Sequence, residues 1–166
     1  MINFKQFKEH VVIPTLKGLD SEIPFSDEAV DLLMMTCAHE SKGGTYLRQV
    51  GMTRSMGAFG VYQMELATHK DIHYNFLISR RGLRDLVSAN ISHEFDADVD
   101  LITNLAYATT MARVHYWRVP EPLPSKDDTK YLDKLGNYAK KYYNTPQGKA
   151  TGRKYVSDYF RWIDGL

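Results

Sequence analysis

Only one cysteine, Cys37, occurs in the 166 residues, so no internal disulfide can staple the fold. No run of about twenty apolar residues is present, and insertion of a helix into a membrane is therefore not expected. The first residues, MINFKQFKEHVVIPTLKG, lack the long apolar stretch of a secretion signal. A substrate beyond the cytoplasm would then require another route of delivery. An excess of one charge is also missing, with 21 Lys and Arg against 20 Asp and Glu. That balance gives no electrostatic case for nucleic acid, which draws on a basic patch. Repeats and low-complexity tracts are absent, and the length suits one domain, residues 1–166, with a core of its own. What the chain has in quantity is tyrosine, eleven in all. Tyrosine rings fill cores, but they also pack on sugar faces while their hydroxyls bond sugar edges. A polar, uncharged ligand such as a glycan suits that composition.

Apolar spacing predicts a mainly α fold. Residues 3–17 read as an amphipathic helix with Phe4, Phe7, Val11 and Val12 inward, and Pro14 weakens its last turn. Ser26 is placed to cap a second helix, with Asp27 and Glu28 in the first turn, where the helix dipole favours them. That helix runs to Glu40, and Gly43-Gly44 stops it. Residues 45–60 have little periodicity and several glycines, which predicts a small irregular or β element. An uneven helix is expected from about Tyr62 to Ser79, a short helix and a loop in SRRGLRDLVSANISHEFDADVD, and the strongest helix after the first two over residues 98–117. VPEPLPSKDD ends that helix. Two more follow, Tyr131 to Tyr143 and about 153–163.

Glu40 is the residue of interest. Val30, Leu33, Cys37 and Glu40 follow steps of three and four, so the carboxyl shares an apolar face. Cys37 on that face reads as a small buried hydrophobe. Acidic groups rarely occupy such a stripe. Desolvation there disfavours the charged form and raises the pKa, as a general acid near neutral pH requires. His39 should face another side of the helix, away from any catalysis. His69 and His73 stand at i and i+4 without the surrounding residues of a zinc motif, and no metal is expected.

In order, the chain offers a buried helix ending in Glu40-Ser41, an irregular stretch, Gly57-Ala58-Phe59-Gly60-Val61-Tyr62-Gln63, further helices, and Tyr143-Asn144. This resembles the lysozyme-like superfamily of lytic transglycosylases and goose-type lysozymes, with a Glu-Ser pair, a Gly-x-x-Gly-Leu-Met-Gln segment and a later Tyr-Asn. The matches spread over about residues 29–146. ESKGGTYL and the interval from Glu40 to Gln63 are closer to the goose-type pattern. Val61-Tyr62 replaces Leu-Met, and Thr-Pro follows Tyr143-Asn144 in place of Ala-Gly. Asn104, in TNLAYATTMA, is similar to the helix that follows the site in the family. RVHYWRVPEPLP and KKYYNTPQGK are similar to bacteriophage virion or lysis proteins.

The resemblance implies a lysozyme-like fold and cleavage of the β-1,4 bond between N-acetylmuramic acid and N-acetylglucosamine. Glu40 would act as acid and then base, with Ser41, Gly60, Tyr62, Gln63, Tyr143 and Asn144 as candidates for the sugar; Tyr142 competes with Tyr143. No cofactor is implied. The expected partners are peptidoglycan glycan strands and other virion proteins, with the chain itself a monomer. It would act in the host periplasm or cell wall, delivered by a virion or released at lysis. A lytic transglycosylase needs no second carboxylate, because the muramic acid 6-hydroxyl closes a 1,6-anhydro ring. An inverting muramidase does need one, roughly 6.5–9.5 Å away, and Glu65 is the candidate. A helix-start glutamate serving the dipole is the bland reading of Glu65. Glu94, Asp96, Asp98 and Asp100 read as a solvated acidic face. A non-catalytic wall-binding or virion structural module is the remaining alternative, and such a module would have no need of a carboxyl at Glu40.

Overall fold

The computed structural model describes residues 2–53, 56–92, 96–144, 148 and 150–163. The fold is mainly helical with one small antiparallel hairpin. Residues 4–18 form a continuous rod: α1 (Phe4–Phe7), a wider π-helical stretch (Lys8–Val12) and α2 (Ile13–Gly18). Pro14 does not weaken the end of this helix as expected. A proline ring collides with the carbonyl four residues back, and the π-helical stretch opens the winding just there. The rod continues to Gly18.

α3 (Asp27–Glu40) is the central element. Ser26 Oγ caps it by accepting from the Ala29 N–H at 3.1 Å. Every residue from Ala29 to Ala38 is buried, so the inward stripe of the sequence reading is in fact the whole circumference. A helix packed on all sides has an apolar surround rather than one apolar face. Around it lie the N-terminal rod, α7 (Leu105–Trp117), α8 (Tyr131–Tyr143) and α9 (Gly152–Ile163). The polar positions at its far end are also tied. Asp31 accepts from the hydroxyls of Tyr131 and Tyr159, each at 3.2 Å, and pairs with Lys126 at 3.0 Å.

A second, smaller core joins the hairpin β1 (Ala58–Phe59) and β2 (Met64–Glu65) to α4 (Leu66–Asp71), α5 (Arg81–Ser88) and α6 (Ala97–Thr103). α7 serves both cores. Ala108, Ala112 and Tyr116 face the first, while Tyr107, Met111 and Val114 face the second. Spacings of three and four put each trio on its own side of the helix. Helix winding after α4 is uneven as expected, with a π-helical stretch Ile72–Phe76 and a 3₁₀ turn Leu77–Ser79. It begins at Leu66 and not near Tyr62, because Met64 and Glu65 pair with the strand before them. The helix expected over residues 98–117 breaks at Asn104. That residue leaves helical geometry to cap α7 through a 2.9 Å bond from the Tyr107 N–H, and its amide donates to the Asn90 carbonyl at 2.8 Å. Of the acidic run, Asp96 is exposed but Asp100 is buried, so it is not one solvated face; Glu94 lies outside the described residues. His69 and His73 both bond the Tyr107 hydroxyl, at 2.6 and 3.1 Å, which ties α4 and the turn after it to α7. Among the described residues no helix is long and apolar enough to cross a membrane.

Gly60, between the two hairpin strands, packs on the backbone of α6. Its φ is +73°, and an added Cβ would lie 1.9 Å from the Leu101 carbonyl oxygen. Neither partner there is a side chain that can swing away. Gly60→Ala is expected to cost about 2 kcal/mol or more, read as a lower urea midpoint at unchanged m-value.

Candidate active site

The end of α3 opens onto a cleft of ≈ 390 Å³ whose walls come from distant parts of the chain. Glu40 supplies one wall, with Tyr143, Asn144 and His115 beside it. Gln63, Met64, Glu65 and Thr68, from the hairpin and the start of α4, face them, and Gln49 and Ala58 complete the hairpin side. The Glu40 side chain is half-buried in its wall. Burial holds its carboxyl above the usual glutamate range, and three opposing influences moderate the rise: a hydrogen bond from Tyr155, then the charges of His39 and Lys140.

The Tyr155 hydroxyl donates to Glu40 Oε1 at 2.5 Å. Asn144 hydrogen-bonds the same hydroxyl from the end of α8. Tyr143 and Tyr116 lie close enough to feel the Glu40 charge, and burial drives both phenols far up the pH scale. Glu40 therefore sits among neutral phenols in a poorly hydrated wall. The Tyr143 hydroxyl is buried without a hydrogen-bond partner among the described residues. A buried orphan of this kind is uncommon and calls for an explanation; the ring lines the cleft.

Several expected sugar contacts belong to the framework. Ser41 is fully buried: its Oγ donates to the Cys37 carbonyl at 2.9 Å and accepts from the Gly44 N–H at 2.9 Å, closing the helix end. Tyr62 is core, its hydroxyl bonded to Thr109 at 3.2 Å. Gly60 is buried against Leu101, as described above. Ser41, Tyr62 and Gly60 are thus withdrawn as direct contacts, since none reaches the cleft wall. Cys37 is inert, its thiol pushed up to about 12 by burial.

Gln63, Tyr143 and Asn144 do reach the cleft, and so does Glu65, which is exposed on the hairpin. Tyr142 points elsewhere and bonds Glu121. Gln63 holds φ +47°, unusual for a residue with a side chain, and its amide nitrogen donates to the Gly60 and Tyr46 carbonyls at 2.8 and 3.3 Å. Any bond from Gln63 to a ligand falls to its oxygen. Gln49 is the reverse: its oxygen accepts from the Ala58 N–H at 3.1 Å, which leaves the nitrogen to donate.

Sequence reasoning did not single out Gln49, His115 or Tyr155. His115 is locked as a neutral ring, its Nε2–H donating to the Tyr142 carbonyl at 2.8 Å and its Nδ1 accepting from Arg118 at 3.0 Å. Desolvation and the neighbouring guanidinium push its pKa down to about 4. Tyr155 carried one weak signal, the Tyr155-Asp158-Tyr159 spacing that gives α9 a polar-tipped inner face. No protein-family model, curated protein or solved structure matches the chain.

A carboxyl that titrates higher folded than unfolded makes the folded state bind more protons between the two pKa values, so stability falls as pH rises through that window. Glu40→Gln removes this dependence. Its unfolding midpoint should match that of the parent below the ordinary glutamate pKa and exceed it increasingly toward neutral pH. Denaturant titrations at stepped pH check this; a parallel pair of curves would contradict the raised pKa.

Proposed function

We propose that this chain is a peptidoglycan-cleaving lytic transglycosylase of lysozyme-like fold. It cuts the β-1,4 bond between N-acetylmuramic acid and N-acetylglucosamine. One observation carries the reading: a carboxyl with a raised pKa opens onto a polar cleft at the end of a buried helix, with a phenol donating to it.

The chemistry follows from that environment. Glycosidic cleavage needs a proton on the departing oxygen, and burial favours the protonated form of Glu40 that would provide it. As the bond breaks, the proton passes to the leaving sugar and Glu40 becomes a carboxylate. The Tyr155 hydroxyl then bonds an anion, and a hydrogen bond to an ionised acceptor is about twice as strong as a neutral one. Its stabilisation grows as the reaction proceeds, which is the condition for lowering a barrier. Glu40, now basic, takes the proton of the muramic acid 6-hydroxyl, whose oxygen closes the 1,6-anhydro ring on the anomeric carbon. The walls suit an N-acetylated sugar. An acetamido group offers one N–H and one carbonyl, and among the described residues Gln63 and Gln49 are left with a free acceptor and a free donor respectively. The Tyr143 ring adds an aromatic face to that wall.

A second reading is favoured by one observation: Glu65 lines the same cleft as Glu40 while remaining exposed. A carboxylate there could activate water in an inverting muramidase, the environments of the two acids separating their roles. The likeness to bacteriophage proteins favours action on the host wall from a virion or at lysis.

Mass spectrometry of digested sacculi tests both readings. The expected products carry 1,6-anhydro ends; reducing ends that disappear in Glu65→Gln would establish the muramidase instead. Glu40→Gln should cut the rate by about a hundredfold or more and still bind sacculi. Undiminished digestion by that variant would remove Glu40 from the chemistry.

A further inference from the structure

His39 takes no part in the chemistry above, yet it lies against the group that touches Glu40. Its ring stacks on the Tyr155 ring, with centroids 3.8 Å apart and planes inclined by 28°. Its Nδ1 lies 2.8 Å from Asp158 Oδ2, and since a carboxylate only accepts, this nitrogen carries the proton. Asp158 is itself buried, and Lys154, one turn earlier on α9, pairs with its other oxygen. The imidazole is therefore fixed both in position and in rotation. Tyr155 and Asp158 share one face of α9, three residues apart, so one helix holds both the clamp and the ring it clamps against.

We propose that His39 is a positioning residue, clamped by Asp158 so that its ring holds Tyr155 with the phenol hydroxyl on Glu40 Oε1. The inference rests on reading Glu40 as the proton donor, and it adds a residue that acts through another. The geometry selects this role because His39 makes no hydrogen bond to Glu40, while it covers a face of Tyr155, the only hydroxyl bonded to that carboxyl among the described residues. With that backing gone, only core packing and the Asn144 hydrogen bond hold the phenol in line, and a hydrogen bond weakens steeply with misalignment. The other groups facing Glu40 are Tyr116 from α7, and Tyr143 and Lys140 from α8. Lys140 Nζ is anchored to the Gly148 carbonyl at 2.9 Å.

The test is a ¹³C NMR titration of the Glu40 side-chain carboxyl in the intact chain, with Glu40→Gln assigning the signal. It needs no substrate. An aligned phenol favours the carboxylate, so His39→Ala should move the midpoint upward. Tyr155→Phe should move it upward as well, and most of the His39→Ala shift should vanish in the Tyr155→Phe background. His39→Phe, which restores a ring without the charge, should return the midpoint toward the parent. In sacculus digestion His39→Ala should lower kcat about tenfold with KM little changed. An equal shift in both backgrounds, or a His39→Phe variant no better than His39→Ala, would show that His39 acts by charge alone and overturn the proposal. A chain that titrates as expected yet leaves sacculi intact would overturn the proposed function and leave the positioning role standing. One that digests sacculi with the His39→Ala midpoint unmoved would do the opposite.

Discussion

The bond between the Tyr155 hydroxyl and Glu40 is the contact on which the rest of the site depends. A carboxyl at the end of a buried helix faces a desolvation penalty that favours its protonated form, and the Tyr155 hydrogen bond offsets part of it. A fully ionic partner would push it harder toward the carboxylate. A neutral phenol lies between no partner and an ionic one. The same constraint explains the company Glu40 keeps: Tyr116, Tyr143 and Tyr155 exclude water without adding charge.

The arrangement requires α3 to be surrounded, and the fold is organised to do this. Four helical elements cover it, and Glu40 is presented at its C-terminal end, where the wrapping stops. α7 then carries the position of the larger core across to the smaller one, because its two faces are apolar in alternate steps. The hairpin wall is built on that smaller core. A cleft with one wall from each core has a width set by how the two meet along α7.

Much of this was legible in the chain, and the limit falls where local signals end. Ser26, the Gly43-Gly44 stop and the span Tyr131–Tyr143 follow from capping and periodicity, and the structure keeps them. Glu40, Gln63, Tyr143 and Asn144 were candidates by motif and do line the cleft. Pro14 and Asn104 were misjudged for a common reason. Each alters a helix by a device that periodicity cannot register, a wider turn in one case and a mid-pattern cap in the other. Ser41, Gly60 and Tyr62 matched a motif whose members divide between cleft and framework, and only packing separates the two. Tyr155 could not be paired with Glu40 from the sequence. The two stand 115 residues apart, and no helical repeat spans that interval. His39 was set aside by its direction on the helix; it makes no bond to Glu40 among the described residues, and only packing shows that it stacks on the residue that does.

The seat of the hairpin carries one more consequence. Gly60 meets Leu101 main chain to main chain, and a joint of that kind has no torsion to yield. The hairpin wall is thus seated on α6 by backbone and not by side chains that could repack. If the cleft takes a glycan as proposed, that wall meets its guest already in place.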